Sequence, residues 1–356
     1  MNILAIETSC DDTSISLVSC TGDLENLVST TYAQVVSSQI NIHKKYGGVV
    51  PSLASREHEK NIDLVLKEVL SKASLGKNKA KDFIDAIAVT TSPGLMPSLL
   101  IGVNFAKSLS YFLDKPLISV NHLLGHICSN FVSLEEKEYL VDFKYPAVSL
   151  LVSGGHTQLY SFDSLEKFIL KGETKDDAAG ECFDKIAKML NLGYPGGPAI
   201  SKESLKVKNF NYDFSLPRPM IKSDDFNFSF SGLKTAVLYL IQKLKKENKL
   251  NQETISQICY ESEKAICEVL VKKTIKLALQ ENAKTIFLSG GVAANKTLRE
   301  MLKQESEKNN IQFIAPQIKL TMDNATMIGV AGYVTYLKKG FSKFEDVKAS
   351  LEEKIF

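Results

Sequence analysis

The sequence contains no long apolar run and almost no excess of charge. None of its hydrophobic stretches approaches the roughly 20 residues that a membrane-spanning helix needs, which argues against a membrane protein. Residues 1–6 follow a strand pattern without a basic or amphipathic leader, so we expect a cytoplasmic protein. The 43 basic and 41 acidic residues leave a net charge of +2, which is too small to indicate nucleic-acid binding by overall charge.

Cysteine is sparse as well, and two familiar nucleotide-binding motifs are missing. The six cysteines include no C-x-x-C pair, as expected of reduced thiols in a cytosol, and we expect each to be a small core residue. The chain has neither the phosphate-loop pattern G-x-x-x-x-G-K-[ST] nor the pattern G-x-G-x-x-G. Any phosphate site must therefore be built from other turns.

The chain is long enough for two lobes. Its 356 residues, 44% of them hydrophobic, correspond to about two domains at roughly 150 residues each. The charged run 133–138 is the best boundary. We expect residues 1–132 to form an N-terminal lobe, to which residues 322–356 return, and residues 133–321 to form a C-terminal lobe.

A strand followed by a small polar or glycine turn recurs along the chain. Residues 3–19 predict two strands around a turn at 8–12, and residues 147–160 repeat the pattern around 153–155. A third copy has a strand at 285–288, a glycine turn at 289–291 and a helix at 294–303. The recurrence predicts an α/β protein with duplicated mixed-sheet lobes. Apolar periodicity further predicts strands at 86–90 and 117–120 and helices at about 57–72, 99–113, 177–191, 232–246, 251–280 and 323–338.

Two histidines have the spacing of a metal-binding pair. His122 and His126 stand at i and i+4, which places both imidazoles on one face of a helix. Both, like His156, lie beside a predicted strand end, where sites form in α/β proteins. The spacing favours a metal site over two structural histidines. A zinc protease is a poor alternative, because Leu123 occupies the position of the general base in H-E-x-x-H.

Glycine-rich turns after apolar strands indicate a nucleotide cleft. Turns 153–155, 289–291 and 193–198 would let a phosphate approach backbone N–H groups. Asp177, Glu181 and Asp184 form an acidic stripe on the helix predicted between the turns 153–155 and 193–198, and this stripe has two interpretations. It is either a solvated helix face or a group of carboxylates that holds ribose hydroxyls or an amine. The basic residues around Arg56, His58 and Lys60 indicate nucleic-acid contact only weakly.

These motifs together resemble the tRNA N6-adenosine threonylcarbamoyltransferase family, in its bacterial and organellar branch. The resemblance runs from the first strand to beyond Asp323. It is carried by residues 6–14, 46–51, 53–56, 121–126, 151–157, 176–184, 194–198, 228–235, 290–295 and 323–324.

The resemblance implies a fold, a reaction and a set of site residues. The fold is two-lobed, around a central cleft, and actin-like, as in sugar kinases and Hsp70. The reaction transfers the threonylcarbamoyl group from threonylcarbamoyl-adenylate to N6 of the adenosine next to the anticodon, in tRNAs reading codons that start with A, and releases AMP. His122, His126 and Asp323 are implied to bind a catalytic divalent metal, Fe²⁺ in preference to Zn²⁺. The implied contacts of the adenine nucleotide are Leu151, Val152, Ser153, Gly154, Gly155, Asp184, Gly197 and Asn295.

The resemblance also implies partners beyond tRNA. These are a catalytically degenerate paralogue as heterodimer partner, a small P-loop ATPase, and a separate synthase that supplies the adenylate. No membrane is involved. The main alternative is an ATP-hydrolysing conformational switch or binding protein of the same fold without transferase chemistry, which would not need the histidine pair.

The chain departs from the family pattern at three places. The usual H-M-E-G-H has a glutamate where this chain has Leu124, so an acid from that helix is missing. The usual C-T-D-N-G-A-M is replaced at residues 320–327, although Asp323 is retained. Asp12 stands where the family has glutamate, which is a conservative change.

Overall fold

The computed structural model of the chain describes residues 1–135, 138–207 and 214–356. Residues 136 and 137, in the charged run predicted as a boundary, lie outside the described residues. The chain divides into two compact units. The first contains Met1–Asp142, Ser164–Phe168 and Pro316–Phe356, and the second contains Phe143–Asp163 and Ile169–Ala315. The domain limits expected from the sequence stay a prediction.

The described residues form eleven strands and eleven α-helices. The strands are β1 (Asn2–Glu7), β2 (Asp12–Thr21), β3 (Val28–Ser38), β4 (Ala86–Ser92), β5 (Leu117–Asn121), β6 (Tyr139–Leu140), β7 (Ala147–Val152), β8 (Thr157–Phe162), β9 (Ile169–Glu173), β10 (Thr285–Ser289) and β11 (Gln312–Ile314). The α-helices are α1 (Ile40–His43), α2 (Pro51–Lys72), α3 (Lys77–Phe83), α4 (Met96–Leu113), α5 (His122–Cys128), α6 (Ala179–Met189), α7 (Gly196–Ser204), α8 (Ser231–Lys246), α9 (Gln252–Gln280), α10 (Lys296–Lys308) and α11 (Ala325–Lys339). Among the described residues, no helix combines the length and apolarity needed to cross a membrane.

The first unit is built on a six-stranded mixed sheet in the order β5-β4-β1-β2-β3-β6. Strands β1, β4 and β5 are parallel, whereas β2 pairs antiparallel with both β1 and β3. Ile3, Leu4, Ile87 and Val89 are fully buried, because helices cover the centre of the sheet. Helices α2 and α4 pack on this sheet together with α11, and the long amphipathic α2 buries Ala54, His58, Ile62, Val65 and Val69 at helical spacing.

The second unit repeats this design with a five-stranded sheet in the order β11-β10-β7-β8-β9. Strands β7, β10 and β11 are parallel, and β8 pairs antiparallel with β7 and β9. Helix α9, 29 residues long, begins with a capping box at Asn251 and Thr254 and buries residues around its circumference. It packs against α7, α8 and α10 in the core of this unit.

The two sheets share one topology, which confirms the predicted α/β class with duplicated mixed sheets. In each unit, three antiparallel strands that follow one another in the chain are extended by two parallel strands on the side of the first. Strand β7 spans the residues predicted for it, Ala147–Val152. Seven of the described elements were not predicted: β3, β6, β9, β11, α1, α3 and α7. Helix α7 begins at Gly196-Gly197-Pro198. From the sequence this segment is predicted to be a turn, because glycine and proline are poor helix formers.

Candidate metal centre and nucleotide turns

His122 and His126 lie on α5, directly after the buried strand β5. The Asn121 side chain begins this helix by accepting hydrogen bonds from the N–H groups of Leu123 (2.8 Å) and Leu124 (3.1 Å). Both imidazoles are buried, with 7% of His122 and 1% of His126 exposed. The predicted i, i+4 pair is therefore one turn of helix, with ring centroids 4.5 Å apart.

Asp323 reaches the histidines from the other end of the sequence. It precedes α11, whose first turn is capped by Asn324 through a 2.9 Å bond from the N–H of Met327. The amide of Asn324 also donates to the carbonyls of Leu320 and Met322, which fixes the loop that carries Asp323. Helices α5 and α11 approach closely at Gly125, where a Cβ atom would lie 2.6 Å from Ile328.

The three side chains converge on one point in the first unit. Asp323 Oδ1 lies 3.5 Å from His122 Nε2 and 3.4 Å from His126 Nε2, and the three ligand atoms lie within 4.8 Å of one another. Two atoms bound to one ion at roughly 2.1 Å with tetrahedral angles are about 3.4 Å apart. The spacing of the three side chains therefore suits a small divalent ion.

Glu7, which the sequence did not single out as a site residue, orients the first histidine. Its fully buried carboxylate lies at the end of β1 and accepts from His122 Nδ1 at 3.0 Å. The same carboxylate accepts from the Ser9 N–H at 2.5 Å and from the Thr90 hydroxyl at 2.6 Å. A carboxylate on Nδ1 fixes the tautomer that leaves Nε2 for a metal. Glu7 on strand β1 thus supplies a carboxylate beside the histidines, although helix α5 has Leu124 where the family has glutamate.

The charges at this site favour a bound cation. Burial lowers the pKa of His122, but the carboxylates of Glu7 and Asp323 outweigh it and raise that pKa to about 9. Burial and the charge of His122 lower the pKa of His126, which is therefore neutral. Burial and the Asp323 charge raise the pKa of Asp11, and that of Asp12 to about 7. Negative charge thus exceeds positive charge around the two imidazoles.

The donor set passes a direct test of fit for a metal. Nδ1 of the buried His126 has no hydrogen-bond partner among the described residues, and its Nε2 faces only Asp323 Oδ1 at 3.4 Å. Leaving a buried polar atom unpaired costs roughly 1–3 kcal/mol, unless something else binds it. Two imidazole nitrogens and a carboxylate are the ligands that Fe²⁺ and Zn²⁺ share, so the residues fit the implied ion.

In the second unit, two glycine turns end neighbouring parallel strands. Strand β7 ends at Val152 before Ser153-Gly154-Gly155, and β10 ends at Ser289 before Gly290 and Gly291. Gly290 has φ +89°, and a side chain there would overlap the Val152 carbonyl oxygen. The two turns are therefore in backbone contact at the same edge of the sheet.

Helices α6 and α7 bring two more predicted residues to these turns. A Cβ atom on Gly180 would overlap the Ser153 carbonyl, so α6 begins against the first turn. Asp184, one turn further along α6, accepts from the N–H of Gly196 at 2.6 Å and so holds the first residue of α7. Burial raises the pKa of the Asp184 carboxyl.

Asn295 closes this ring of contacts from the side of the second turn. Its Oδ1 caps α10 by accepting from the Leu298 N–H at 2.8 Å. Its amide nitrogen donates to Glu263 Oε1 (2.7 Å) and to the Ser201 hydroxyl (3.1 Å), which links α10 to α9 and α7. No sequence pattern indicated the buried Glu263, since a lone glutamate in a long helix usually faces solvent.

The predicted nucleotide contacts differ in what they can offer a ligand. Leu151 and Val152 are fully buried, so only their backbone can face a ligand. Around Gly154, Gly155 and Gly197 a Cβ atom would meet nothing within 4 Å, so there is open space on the Cα side of each of these residues. The structure thus brings the predicted residues of the second unit to one region, and nucleotide binding there stays a prediction.

Three other residues that the sequence singled out have partners within the fold. Asp177 pairs with Lys185 (2.7 Å) and Lys234 (2.6 Å), so this end of the acidic stripe is neutralised. His156 closes the first glycine turn, because its carbonyl accepts from the Ser153 N–H at 2.8 Å. His58 is fully buried and does not belong to a basic surface with its exposed neighbours.

The cysteines agree with the prediction of unpaired thiols. Five of the six are buried, and Cys10 is half-buried. Burial raises the pKa of every one of these thiols, so each is neutral near pH 7.

The chain is similar over nearly its whole length to one family of known proteins. The family model for tRNA N6-adenosine threonylcarbamoyltransferase (TsaD) matches residues 30–330. The protein of that name from Thermosipho africanus is 46% identical over 349 residues, which is 98% of both chains. Its counterpart from Syntrophomonas wolfei is 44% identical over 340 residues, 96% of this chain and 94% of the other.

Solved structures show the fold at lower similarity. HypF in a phosphate- and nucleotide-bound form superposes on 96% of this chain with a TM-score of 0.54 and 13% identity. HypF from T. kodakarensis superposes on 95% with a TM-score of 0.53 and 15% identity. The chain spans about half of each HypF chain, 56% and 49%. The likeness supports the predicted actin-like fold class and nothing more specific. On the family model and the full-length relatives together, the chain belongs to the tRNA N6-adenosine threonylcarbamoyltransferase family.

Proposed function

We propose that this chain transfers the threonylcarbamoyl group of threonylcarbamoyl-adenylate to N6 of the adenosine next to the anticodon. The acceptors are tRNAs reading codons that start with A, and AMP is the second product. The observation that carries the proposal is the convergence of His122, His126 and Asp323 in a chain whose full-length relatives bear this activity in their names. An acyl transfer to a weakly nucleophilic amine needs such an electrophilic centre.

The metal-binding residues prepare the acyl group for attack. A divalent ion held by His122, His126 and Asp323, Fe²⁺ in preference to Zn²⁺, supplies a Lewis acid for the carbamoyl carbonyl or the threonyl carboxylate. Glu7 holds His122 by Nδ1, so the ring keeps its orientation when its other nitrogen is engaged. The exposed 21% of the Asp323 side chain leaves this ligand accessible from solvent.

The glycine turns of the second unit hold the leaving group. The backbone N–H groups beside Gly154, Gly155 and Gly197 bind the phosphate of the adenylate, where negative charge grows as AMP departs. Asp184 and Asn295 fix the helices around the nucleoside. Transfer is direct, because the neutral thiols of this chain are poor nucleophiles.

The chain works with partners in the cytoplasm. A net charge of +2 gives little non-specific affinity for tRNA, so the isolated chain should turn over slowly. We include in the proposal a degenerate paralogue bound to the N-terminal lobe, a small P-loop ATPase, and an upstream synthase that makes the adenylate.

Reconstitution tests the function directly. The purified chain, loaded with Fe²⁺ or Zn²⁺, is mixed with synthesised threonylcarbamoyl-adenylate and unmodified tRNA, with and without the candidate partners. Nucleosides are then analysed by mass spectrometry, and a tRNA with guanosine in place of the target adenosine is the control. Modified adenosine in the first tRNA alone supports the proposal. ATP turnover by metal-free protein with no modified nucleoside would instead support the conformational switch.

A further inference from the structure

His58 is a fully buried histidine that belongs to no predicted site. It lies on α2, and its Nε2 is 3.0 Å from the carbonyl oxygen of Cys10. Its Nδ1 is 2.7 Å from the Thr13 hydroxyl. A carbonyl oxygen only accepts, so Nε2 carries the hydrogen and Nδ1 accepts from Thr13. The ring thus bonds both ends of the turn formed by residues 10–13.

A second buried group holds the same turn. The backbone N–H of Gln39 donates to the Asp11 carbonyl at 3.1 Å. The Gln39 amide donates to the Ala54 carbonyl on α2 (3.2 Å) and its oxygen accepts from His43 Nε2 (3.1 Å). Gln39 is 1% exposed and His43 is fully buried. The backbone of the turn is therefore fixed from two sides by side chains and backbone that water does not reach.

The turn lies against the candidate metal centre. The Ser9 hydroxyl, one residue before it, is 3.1 Å from His122 Nδ1. The charge of Asp323 acts on Cys10, Asp11 and Asp12, so the side chains of the turn are within electrostatic reach of that ligand. Asp12 is 6% exposed, and its Oδ1 has no hydrogen-bond partner among the described residues. A shift of this turn would move two carboxylates relative to the ligands.

We propose that His58 is a positioning residue for threonylcarbamoyl transfer, through its Nε2–H bond to the Cys10 carbonyl. This role rests on the function proposed above. His58 touches the backbone of the turn and acts through it, by keeping Asp11 and Asp12 in place beside the metal ligands. A misplacement of about 1 Å at reacting groups can cost roughly a hundredfold in rate.

Two substitutions of different chemistry test the role. His58→Gln keeps an N–H donor at the reach of Nε2, whereas His58→Leu keeps only apolar volume. We expect His58→Leu to lower the single-turnover rate at saturating substrates at least about tenfold, with metal stoichiometry and KM for the adenylate near wild-type. His58→Gln should restore the rate to within about threefold of wild-type.

A matched control separates positioning from folding. Val69→Ala removes buried apolar volume from the same helix about three turns beyond His58, so it should lose thermal stability but keep the wild-type rate per folded molecule. Thr13→Val, which removes the hydroxyl on Nδ1, serves if His58→Leu does not fold, and a drop in rate of several-fold is expected.

The outcomes are distinguishable from failure of the proposed function. Wild-type protein that makes no modified nucleoside in the same assay overturns that function, and this role with it. Wild-type transfer with equal rates for His58→Leu and His58→Gln, or with Val69→Ala as slow as His58→Leu, overturns the positioning role alone. With Thr13→Val as the fallback variant, an unchanged rate overturns it as well.

Discussion

The Glu7→Gln substitution isolates the contact that orients the first metal ligand. The Glu7 carboxylate accepts from three donors, the Ser9 N–H, the Thr90 hydroxyl and His122 Nδ1. Glutamine has nearly the same volume but only one oxygen, and its other end is a donor. At least one of the three donors must therefore face an NH₂ group in a site that is fully buried.

Both orientations of the new amide are costly. If the oxygen stays at His122, the NH₂ faces the Ser9 N–H, and an unpaired buried donor costs roughly 1–3 kcal/mol. If the NH₂ faces His122, the ring must take the opposite tautomer, which places a hydrogen on the nitrogen nearest Asp323. Partners of this kind are typically worth 10–100-fold in metal affinity, or about 1.4–2.8 kcal/mol. We expect a loss in that range and a comparable loss of transfer rate.

Competition with a chromophoric chelator measures the Zn²⁺ affinity of the pure chain. Thr90→Val is the control, because it removes one neutral donor to Glu7 but keeps the Glu7 carboxylate beside His122. We expect it to lower the Zn²⁺ affinity less than about threefold. Unchanged Zn²⁺ affinity in Glu7→Gln, with a wild-type fold by circular dichroism, would refute the argument that Glu7 orients a ligand.

Three further predictions follow from the same contacts. His126→Ala should lower metal content at least about tenfold and abolish transfer, while adenine-nucleotide affinity by calorimetry stays wild-type; stoichiometric metal with normal transfer would contradict this. In the metal-free chain the pKa of His122 is raised to about 9, so its contribution to the free energy of unfolding is complete below roughly pH 6.5 and is lost as pH rises to 9. Urea melts should show a decrease on the order of 3 kcal/mol over that interval, and none with Zn²⁺ bound. Gly180→Ala should weaken AMP binding, since a Cβ there displaces the Ser153 carbonyl, although alanine favours a helix by about 1 kcal/mol; an unchanged Kd would show that the turn tolerates the shift.

Local patterns were predictable from the sequence because their partners are neighbours in the chain. The histidine pair needs only one helical turn, and strand β7 needs only a run of apolar residues before a glycine turn. Helix α2 shows the limit of reading clusters by proximity. Arg56, His58 and Lys60 are close in sequence, but two residues along a helix turn by about 200°, so His58 points into the core with Ala54 and Ile62.

Long-range contacts were not predictable from one sequence. Asp323 entered only through the family resemblance, because no local pattern links it to α5. Glu7 lies 115 residues from His122, and the loss of the usual glutamate at Leu124 suggested that no acid supports the histidines. An acid at the end of an apolar strand was the available signal. Burial of a charged side chain without a partner is costly, so such a residue indicates a buried cation or hydrogen-bond donor.

The last prediction concerns Glu263, which we expect to set the orientation of the Asn295 side-chain amide. Ser201 Oγ and Glu263 Oε1 both accept from the Asn295 nitrogen, yet they are only 2.6 Å apart because Ser201 donates to Glu263. They therefore lie on one side of the amide, whose two hydrogens point roughly 120° apart, and the second hydrogen can donate to an adenylate.

Glu263→Leu should weaken AMP binding about tenfold, like Asn295→Ala, and the double variant should bind AMP no more weakly than Asn295→Ala alone. Glu263→Gln keeps the oxygen toward Asn295 and should bind nearly as wild-type, since the Ser204 hydroxyl can turn to accept from the new amide. Calorimetry with AMP measures the four variants and the wild-type, with Zn²⁺ affinity as the control that must stay constant. Additive losses in the double variant would show that Glu263 supports the fold of the second unit rather than the amide of Asn295.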